Sequence, residues 1–414
     1  MRKPVLTIFY QFNPWNTTIG GIQTLIKNFI KYAPSEFEVR LVGTASCFAP
    51  TGGDRYQLVG KWQEAELAGR AINFLPLFPL ENDNIRHFVP TTLKYTAALL
   101  GRCFASDFMH FHRLEPTLAA LKWRGEKTLF VHTDVQTILT KTQATDNKKV
   151  ILWQSFPAAY FALEKLLVGQ FNQILSCNIN SSELYRQRYP NIAKRVADIK
   201  NSFDGEIFYP LNHKQREVSR CEVATSLGLN PDTRFILFAG RLHPHKDPIL
   251  LVRAIAALND PKVHLLIAGD GELAPEVRAE ISQLELSDRI TLLGAIPQEK
   301  LAQLHRICNA FVLSSVTEGL PLVALEALAS GTPVVTTRCG ETPKLLTSDS
   351  GVVCEERTPQ CIANALRKVL LHPENYPTES CVRTAQPYAA STVVNEVYNQ
   401  MWQRWEQRNH SAVV

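Results

Sequence analysis

The sequence predicts an α/β protein built from two doubly wound parallel sheets, and three observations carry that prediction. Short apolar runs alternate with amphipathic helical stretches along most of the chain. The alternation breaks once, at Asn201 to His213, into N-S-F-D-G-E-I-F-Y-P-L-N-H, which is rich in turn formers and has no period. The length of 414 residues also exceeds what a single hydrophobic core usually serves. The junction divides the chain into residues 1–205, residues 206–387 and a C-terminal helix over 388–414 that is expected to pack back on the first part.

In the first part, V-L-T-I-F-Y (Val5 to Tyr10) reads as a strand. A polar loop then leads to Gly20-Gly21 and a helix from Ile22 to Tyr32, with apolar residues at Ile22, Leu25, Ile26, Phe29 and Ile30. Strand, glycine turn and helix make half of a dinucleotide-type βαβ unit, although two glycines also serve as a plain turn. Further strands are expected at Val39 to Gly43, Phe108 to Phe111, Thr128 to Val131 and Ile174 to Cys177. His112 and His132 fall just past two of these strand ends, where ligands bind in parallel sheets. A lone histidine in such a place is more often a structural hydrogen-bonder than a catalyst. His110 and His112 stand two apart without a third ligand nearby, which argues against a metal. The stretch Val150 to Phe171 carries Trp153, Phe156, Tyr160 and Phe161 beside Lys148, Lys149 and Lys165, with Pro157 starting or kinking a helix. Such a helix either lies on a membrane surface or packs its apolar face into the core.

The second part restarts the alternation with strands at Phe235 to Ala239, Val263 to Ala268, Ile290 to Leu293, Ala310 to Leu313, Pro333 to Thr336 and Val352 to Cys354. The first of its turns, G-R-L-H-P-H-K-D, places Gly240 where the backbone turns and sets Arg241 five residues from Lys246. A guanidinium and an ammonium on one loop can grip adjacent phosphates, and they can equally form surface salt bridges. His243 and His245 are read as serving the loop. The glycines of I-A-G-D-G (Ile267 to Gly271) suit either close approach of a ligand or a tight turn into a helix. The stretch S-V-T-E-G-L-P-L-V-A-L-E (Ser315 to Glu326) runs from a strand through a glycine turn into a helix over Leu322 to Ser330 that Pro321 can start. It aims free N–H groups and the positive helix end at the carboxyl edge of the sheet, which makes an anion site. Glu318 and Glu326 flank it, so a ligand with both a negative part and hydroxyl groups is expected. Tyr388 to Glu406 closes the chain as a strongly apolar helix.

Composition narrows the class. Hydrophobic residues make up 45% and charged ones 20%, so disorder is not indicated. The longest apolar runs fall short of the roughly 18 residues a spanning helix needs, and the N-terminus lacks a signal-peptide core, so a cytoplasmic protein is expected. Nine cysteines without a C-x-x-C pair argue against a disulfide framework or a zinc knuckle. Residues 1–200 hold 24 Lys+Arg against 15 Asp+Glu, a balance of +9, leaving 20 against 24, or −4, for the remainder. The basic half would suit an anionic acceptor or peripheral contact with the inner face of a membrane, or is simply a solvated surface. No basic block supports nucleic acid as a partner.

Taken together, G-R-L-x-x-x-K at 240–246, A-G-D-G at 268–271 and E-G-L-P-L-V-A-L-E at 318–326 resemble the C-terminal domain of the retaining glycosyltransferases of family 4, which have the GT-B fold of two Rossmann-like domains facing a central cleft. Gly20-Gly21 and V-H at 131–132 match that family's N-terminal landmarks more loosely. The resemblance implies sugar transfer from a nucleotide-diphosphate sugar to an acceptor hydroxyl of a sugar, glycan or lipid-linked molecule, in glycan, polysaccharide or glycolipid synthesis, with no cofactor and no metal. By the same resemblance, Arg241 and Lys246 would hold the donor diphosphate, Glu318 would contact the donor sugar, and Glu326 would bind ribose hydroxyls. The Gly319 and Leu320 backbone and the helix start at Pro321 would lie near sugar and phosphates. Gly240 and Gly269 would line the donor loops, Gly20 and Gly21 would approach the donor phosphate, and His132 would sit near the transferred sugar. Two segments depart from the family pattern: C-G-E-T-P (Cys339 to Pro343) and N-S-F-D (Asn201 to Asp204). A sugar phosphorylase, a nucleotide-sugar epimerase and a non-catalytic nucleotide-sugar binder are the alternative readings.

Overall fold

The computed structural model describes residues 2–15, 21–46, 59–80, 90–132, 156–316 and 318–411. Gly20, Trp153 and the segment from Lys148 to Ser155 lie outside the described residues. The chain divides into two compact units: unit 1 comprises Met1–Lys200 and Val393–Val414, and unit 2 comprises Asn201–Thr392. These boundaries fall at 200/201 and 392/393, where the sequence reading placed them at 205/206 and 387/388. The difference has a local cause: Phe203 donates its N–H to Tyr388 O and Ala390 donates its own to Phe203 O, which ties both connecting segments into unit 2.

Unit 1 is organised on one eight-stranded sheet. Its strands are β1 Val5–Phe9, β2 Glu38–Ser46, β3 Gln63–Leu67, β4 Arg70–Leu80, β5 Phe108–Phe111, β6 Glu126–Val131, β7 Gln173–Ser176 and β8 Val196–Asp198. They lie in the order β3-β4-β2-β1-β5-β6-β7-β8, and only β3 and β4 pair antiparallel. β1 is central and buried along its whole length, with Phe9 level with Val42 of β2 and Phe111 of β5. Its side chains alternate as a pleated strand requires. Leu6 and Ile8 enter one apolar cluster with Phe29, whereas Phe9 enters the other with Phe111 and Trp123.

The sequence reading missed β3, β4 and β8. Pro76 and Pro79 disguise β4, because proline gives no ladder N–H. They are tolerated because β3 pairs with β4 only from Arg70 to Phe74, so the prolines lie where β4 has a strand on one side alone. The β3–β4 turn is Ala68-Gly69, both at positive φ, a two-residue hairpin formed without the Asn or Asp that usually announces it.

The helix Ala390–Ser411 completes the core of unit 1. Val393, Val394, Val397, Tyr398, Met401 and Trp405 form one helical stripe in the cluster with Leu6 and Phe29. The Tyr398 hydroxyl donates to Phe29 O at 2.8 Å, and Arg404 pairs with Glu126 at 2.8 Å.

Unit 2 carries six strands, all parallel: β9 Arg234–Ala239, β10 Val263–Ala268, β11 Ile290–Gly294, β12 Ala310–Leu313, β13 Val334–Thr336 and β14 Gly351–Val353. The order β11-β10-β9-β12-β13-β14 runs outward in one direction from β9 and in the other from β12. Both faces are covered. Ile236 and Phe238 point to one apolar cluster and Phe235, Leu237 and Ala239 to the other. Burial on both faces explains why these strands read as continuous apolar runs. No described helix is long and apolar enough to cross a membrane. The eight described cysteines are free thiols.

Candidate active site

The reversal of strand order in unit 2 falls between β9 and β12, which are hydrogen-bonded neighbours. In a doubly wound sheet, a crevice opens at the carboxyl ends of such a strand pair. The loops that follow these strands are 240–247 and 314–321, the two segments the sequence singled out. They are stitched to each other: Val316 N donates to His245 O at 2.8 Å and Ser314 Oγ to Lys246 O at 2.8 Å. Thr337 Oγ1 holds Ser315 O at 2.7 Å, Asn201 Nδ2 holds Leu320 O at 2.6 Å, and Glu341 N holds Gly319 O at 3.0 Å.

The glycines at 269 and 271 have a packing reason that neither sequence alternative named. A Cβ on Gly269 would stand 1.9 Å from Gly240 O, and one on Gly271 would stand 2.4 Å from Leu242 O. Backbone pressed on backbone therefore demands these two glycines, and the 240–242 loop is the neighbour that approaches. Gly340 serves the other loop in the same way, since a Cβ there would lie 2.3 Å from Gly319 O. Gly319 is different: a Cβ would meet nothing within 4 Å.

Three charged groups gather on these loops. Lys246 Nζ is hydrogen-bonded to Glu318 Oε1, and Ser315 Oγ donates to that same oxygen at 2.7 Å. An ammonium has three N–H donors, so this pairing leaves Lys246 with others to offer. Glu318 Oε2 makes no hydrogen bond to a described residue and remains an acceptor for a hydroxyl. Arg241 is exposed, and its guanidinium has no hydrogen bond or ion pair among the described residues. His245 N donates to His243 Nδ1 at 3.2 Å, and the two rings stack at 5.0 Å, so both histidines do serve the loop. Among the described residues no group of three or more His, Cys, Asp or Glu could hold a metal ion.

The helix after the second loop is Leu322–Ala329. Pro321 is its N-cap, with extended ψ, and the first helical position belongs to Leu322, a correction of one residue. Proline offers no side chain to cap the helix, so the first-turn N–H groups lack that partner. Glu326 lies one turn in and is buried. Burial pushes its carboxyl from the ordinary 4.5 up to about 7, opposed by a hydrogen bond from Gln298. Because the folded pKa exceeds the unfolded one, the folded state holds the proton more tightly. The stability linked to that proton is complete below about pH 4.5 and is lost as pH rises through 7, about 3 kcal/mol in all. Urea unfolding monitored on unit 2 should therefore show a midpoint that falls between pH 5 and pH 8, and Glu326→Gln should flatten that slope.

Unit 1 has its own reversal, between β1 and β5. His112 follows β5, His132 follows β6, and His112 Nδ1 lies 3.0 Å from His132 Nε2. His110 is fully buried between Phe29 and Phe130 with both ring nitrogens unpaired, which makes it a core residue. Gly21 begins the helix Gly21–Lys31 and is exposed. Gly20 lies outside the described residues.

The sequence reading missed Ser314, Ser315, Thr337, Asn201 and Gln298, the polar groups that orient the loops and carboxylates. Only Asn201 and the serines had a legible signal, as a turn segment and as a polar pair at a strand end.

Comparison with known proteins bears on the second half of the chain and on the fold. Residues 220–385 match the model of the family described as glycosyl transferases group 1. D-inositol 3-phosphate glycosyltransferase of Corynebacterium glutamicum (strain R) is 31% identical over 185 residues, which are 42% of this chain and 43% of that protein. The enzyme of that name from Streptomyces coelicolor is 27% identical over 278 residues, 62% of this chain and 61% of its own. The chain thus spans between two fifths and three fifths of these relatives' length. Sucrose-phosphate synthase of Thermosynechococcus elongatus superposes with a TM-score of 0.71 at 16% identity, covering 99% of this chain and 100% of that one. HepE of Anabaena, solved with UDP-glucose, gives 0.69 at 15% identity over 96% and 99%. The fold is GT-B.

Proposed function

We propose that the chain is a retaining glycosyltransferase of family 4 that moves a sugar from a nucleoside-diphosphate sugar to an acceptor hydroxyl, a reading supported by the match of residues 220–385 to the glycosyl transferases group 1 model. The observation that carries this reading is the grouping of exposed Arg241, the partly buried Lys246–Glu318 pair and the uncapped helix start at Pro321 on the two loops that flank the strand-order reversal.

Charge development explains why those groups suit the reaction. As the bond from the anomeric carbon to the β-phosphate oxygen lengthens, the phosphate gains negative charge and the carbon becomes oxocarbenium-like. Arg241, the remaining Lys246 donors and the helix N-terminus stabilise the departing phosphate more than the bound ground state. Glu318, held by Lys246 and Ser315, turns Oε2 toward a sugar hydroxyl, and Glu326 takes the ribose. The acceptor oxygen then bonds to the anomeric carbon on the face the phosphate leaves, and its proton passes to a phosphate oxygen. Cationic side chains occupy the role a metal would otherwise fill, so turnover should survive chelation by EDTA. His132 contacts the transferred sugar in this reading, and the acceptor is a sugar, glycan or lipid-linked alcohol. A cytoplasmic location, with unit 1 meeting the inner face of a membrane, would suit a lipid-linked acceptor.

Calorimetry with UDP, GDP and ADP tests the reading. One diphosphate is expected to bind clearly, with UDP the first probe because HepE was solved with it. Binding by none removes the donor site. Product analysis by proton NMR should then show the donor's anomeric configuration kept, and an inverted anomer rules out the retaining mechanism. Turnover without acceptor, using phosphate or water, would instead favour a phosphorylase or epimerase.

A further inference from the structure

Unit 1 buries a histidine that the reading above does not use. His112 is 2% exposed. Its ring stacks on Phe130, with centroids 4.7 Å apart and planes 14° from parallel, and Tyr10 meets it edge-on at 6.0 Å. Nδ1 lies 3.0 Å from His132 Nε2. Nε2 is buried with no hydrogen-bond partner among the described residues. His132 is half-buried, and its own Nδ1 makes no hydrogen bond to a described residue.

Two imidazole nitrogens at hydrogen-bond distance need one proton between them, so one ring donates and the other accepts. Burial disfavours the imidazolium form of both rings: it is the largest cause that lowers His112 well below the ordinary histidine value and His132 to about 3. Arg113 pushes both in the same direction, and His110 adds to the effect on His112. The shared proton then has two possible homes. If His132 donates from Nε2, His112 accepts at Nδ1 and must carry its own hydrogen on Nε2, which strands a buried N–H. If His112 donates from Nδ1, its buried Nε2 is a bare lone pair. Proteins tolerate an orphaned acceptor more often than an orphaned N–H. His132 in that case carries its hydrogen on Nδ1, since the bond at one ring nitrogen sets the state of the other.

We infer that His112 is a positioning residue that locks His132 as the neutral Nδ1–H tautomer, so that His132 offers a hydrogen-bond donor to an oxygen of the bound sugar and does not act as a base. The inference rests on the placement of His132 at the transferred sugar. It also gives His112 a reason to be a histidine in an apolar setting that a phenylalanine would fill.

The test uses the full chain labelled with 15N-histidine, with long-range 1H–15N correlation to read each ring and the signal lost in His132→Gln to assign His132. The expected result is a neutral Nδ1–H ring at His132 from pH 6 to 8.5. An Nε2–H tautomer or an imidazolium there overturns the inference. His112→Phe keeps the ring volume and removes the donor. It should mix the two His132 tautomers and lower kcat at least about 10-fold, with donor KM within about 3-fold, since a wrong histidine tautomer is costly in catalysis. His112→Asn places an amide N–H close to where Nδ1–H stood and should restore both readouts to within about 3-fold of wild type. Equal losses in both variants with an unchanged His132 signal would mean that His112 only packs, and the inference falls. The tautomer measurement needs no turnover, so a wild-type chain without transferase activity would sink the functional reading while leaving this result readable.

Discussion

Arg241→Ala is expected to lower kcat/KM by about 10²–10³-fold, the usual cost of losing one preorganised donor at a developing negative charge. Thermal unfolding should stay where it is, because the side chain is exposed and makes no hydrogen bond or ion pair among the described residues. That separation of effects makes Arg241 the most informative site for mutation. Lys246 is a poorer choice on its own, since its removal also frees Glu318, which Lys246 and Ser315 hold together. Arg241→Lys should recover only part of the loss, because an ammonium cannot reproduce a bidentate grip on two phosphate oxygens. Steady-state kinetics with saturating acceptor, beside calorimetry of diphosphate binding, checks both expectations. Wild-type kcat/KM in Arg241→Ala would remove this residue from the mechanism.

Gly269→Ala should damage the fold of unit 2 before it touches any chemistry. The new Cβ would stand 1.9 Å from Gly240 O, and the residue sits at φ 145°. Relief requires the 240–242 loop to move, and that loop is held by Gly240 N to Ala268 O at 2.9 Å and Leu242 N to Asp270 O at 3.0 Å. A loss of about 3 kcal/mol or more is expected from such a backbone collision. Gly319→Ala is the control: its Cβ meets nothing within 4 Å, so stability should change by less than about 0.5 kcal/mol. Urea unfolding of the two variants side by side would show whether glycine at 269 answers to the neighbouring loop. A Gly269→Ala midpoint equal to that of Gly319→Ala would refute the packing account.

The contrast between those glycines shows where the sequence was legible. Strands buried on both faces announce themselves as apolar runs, which is why β10, β12 and β5 were placed to the residue. The sequence also singled out Arg241, Lys246 and Glu318, and the structure brings their loops together. What stayed hidden depends on partners distant in sequence. Nothing local to Gly269 tells that its neighbour is Gly240, and no pattern in R-A-I-N-F-L-P-L-F-P-L reveals that β3 stops short of both prolines. The Lys246–Glu318 pair spans 72 residues of chain and joins two groups to which the family resemblance gave separate parts of one donor. The coupling of His112 to His132 is of the same kind: each was visible past a strand end, and their contact was not.

The return of Val393–Val414 to unit 1 has a consequence for synthesis. Translation delivers residues 1–200 first, yet the stripe from Val393 to Trp405 that seals Phe29 and Ile8 leaves the ribosome only after the 192 residues of unit 2. At about 5–20 residues per second that interval is about 10–40 s. Unit 2, continuous in sequence, can close its core during those seconds, while the nascent first unit holds an apolar face open. A chaperone that recognises exposed apolar surface therefore has its natural window on this chain between residue 200 and residue 405. Ribosome-stalled chains ended before Val393 should bind it, and chains that extend past Trp405 should let it go once they are released from the ribosome.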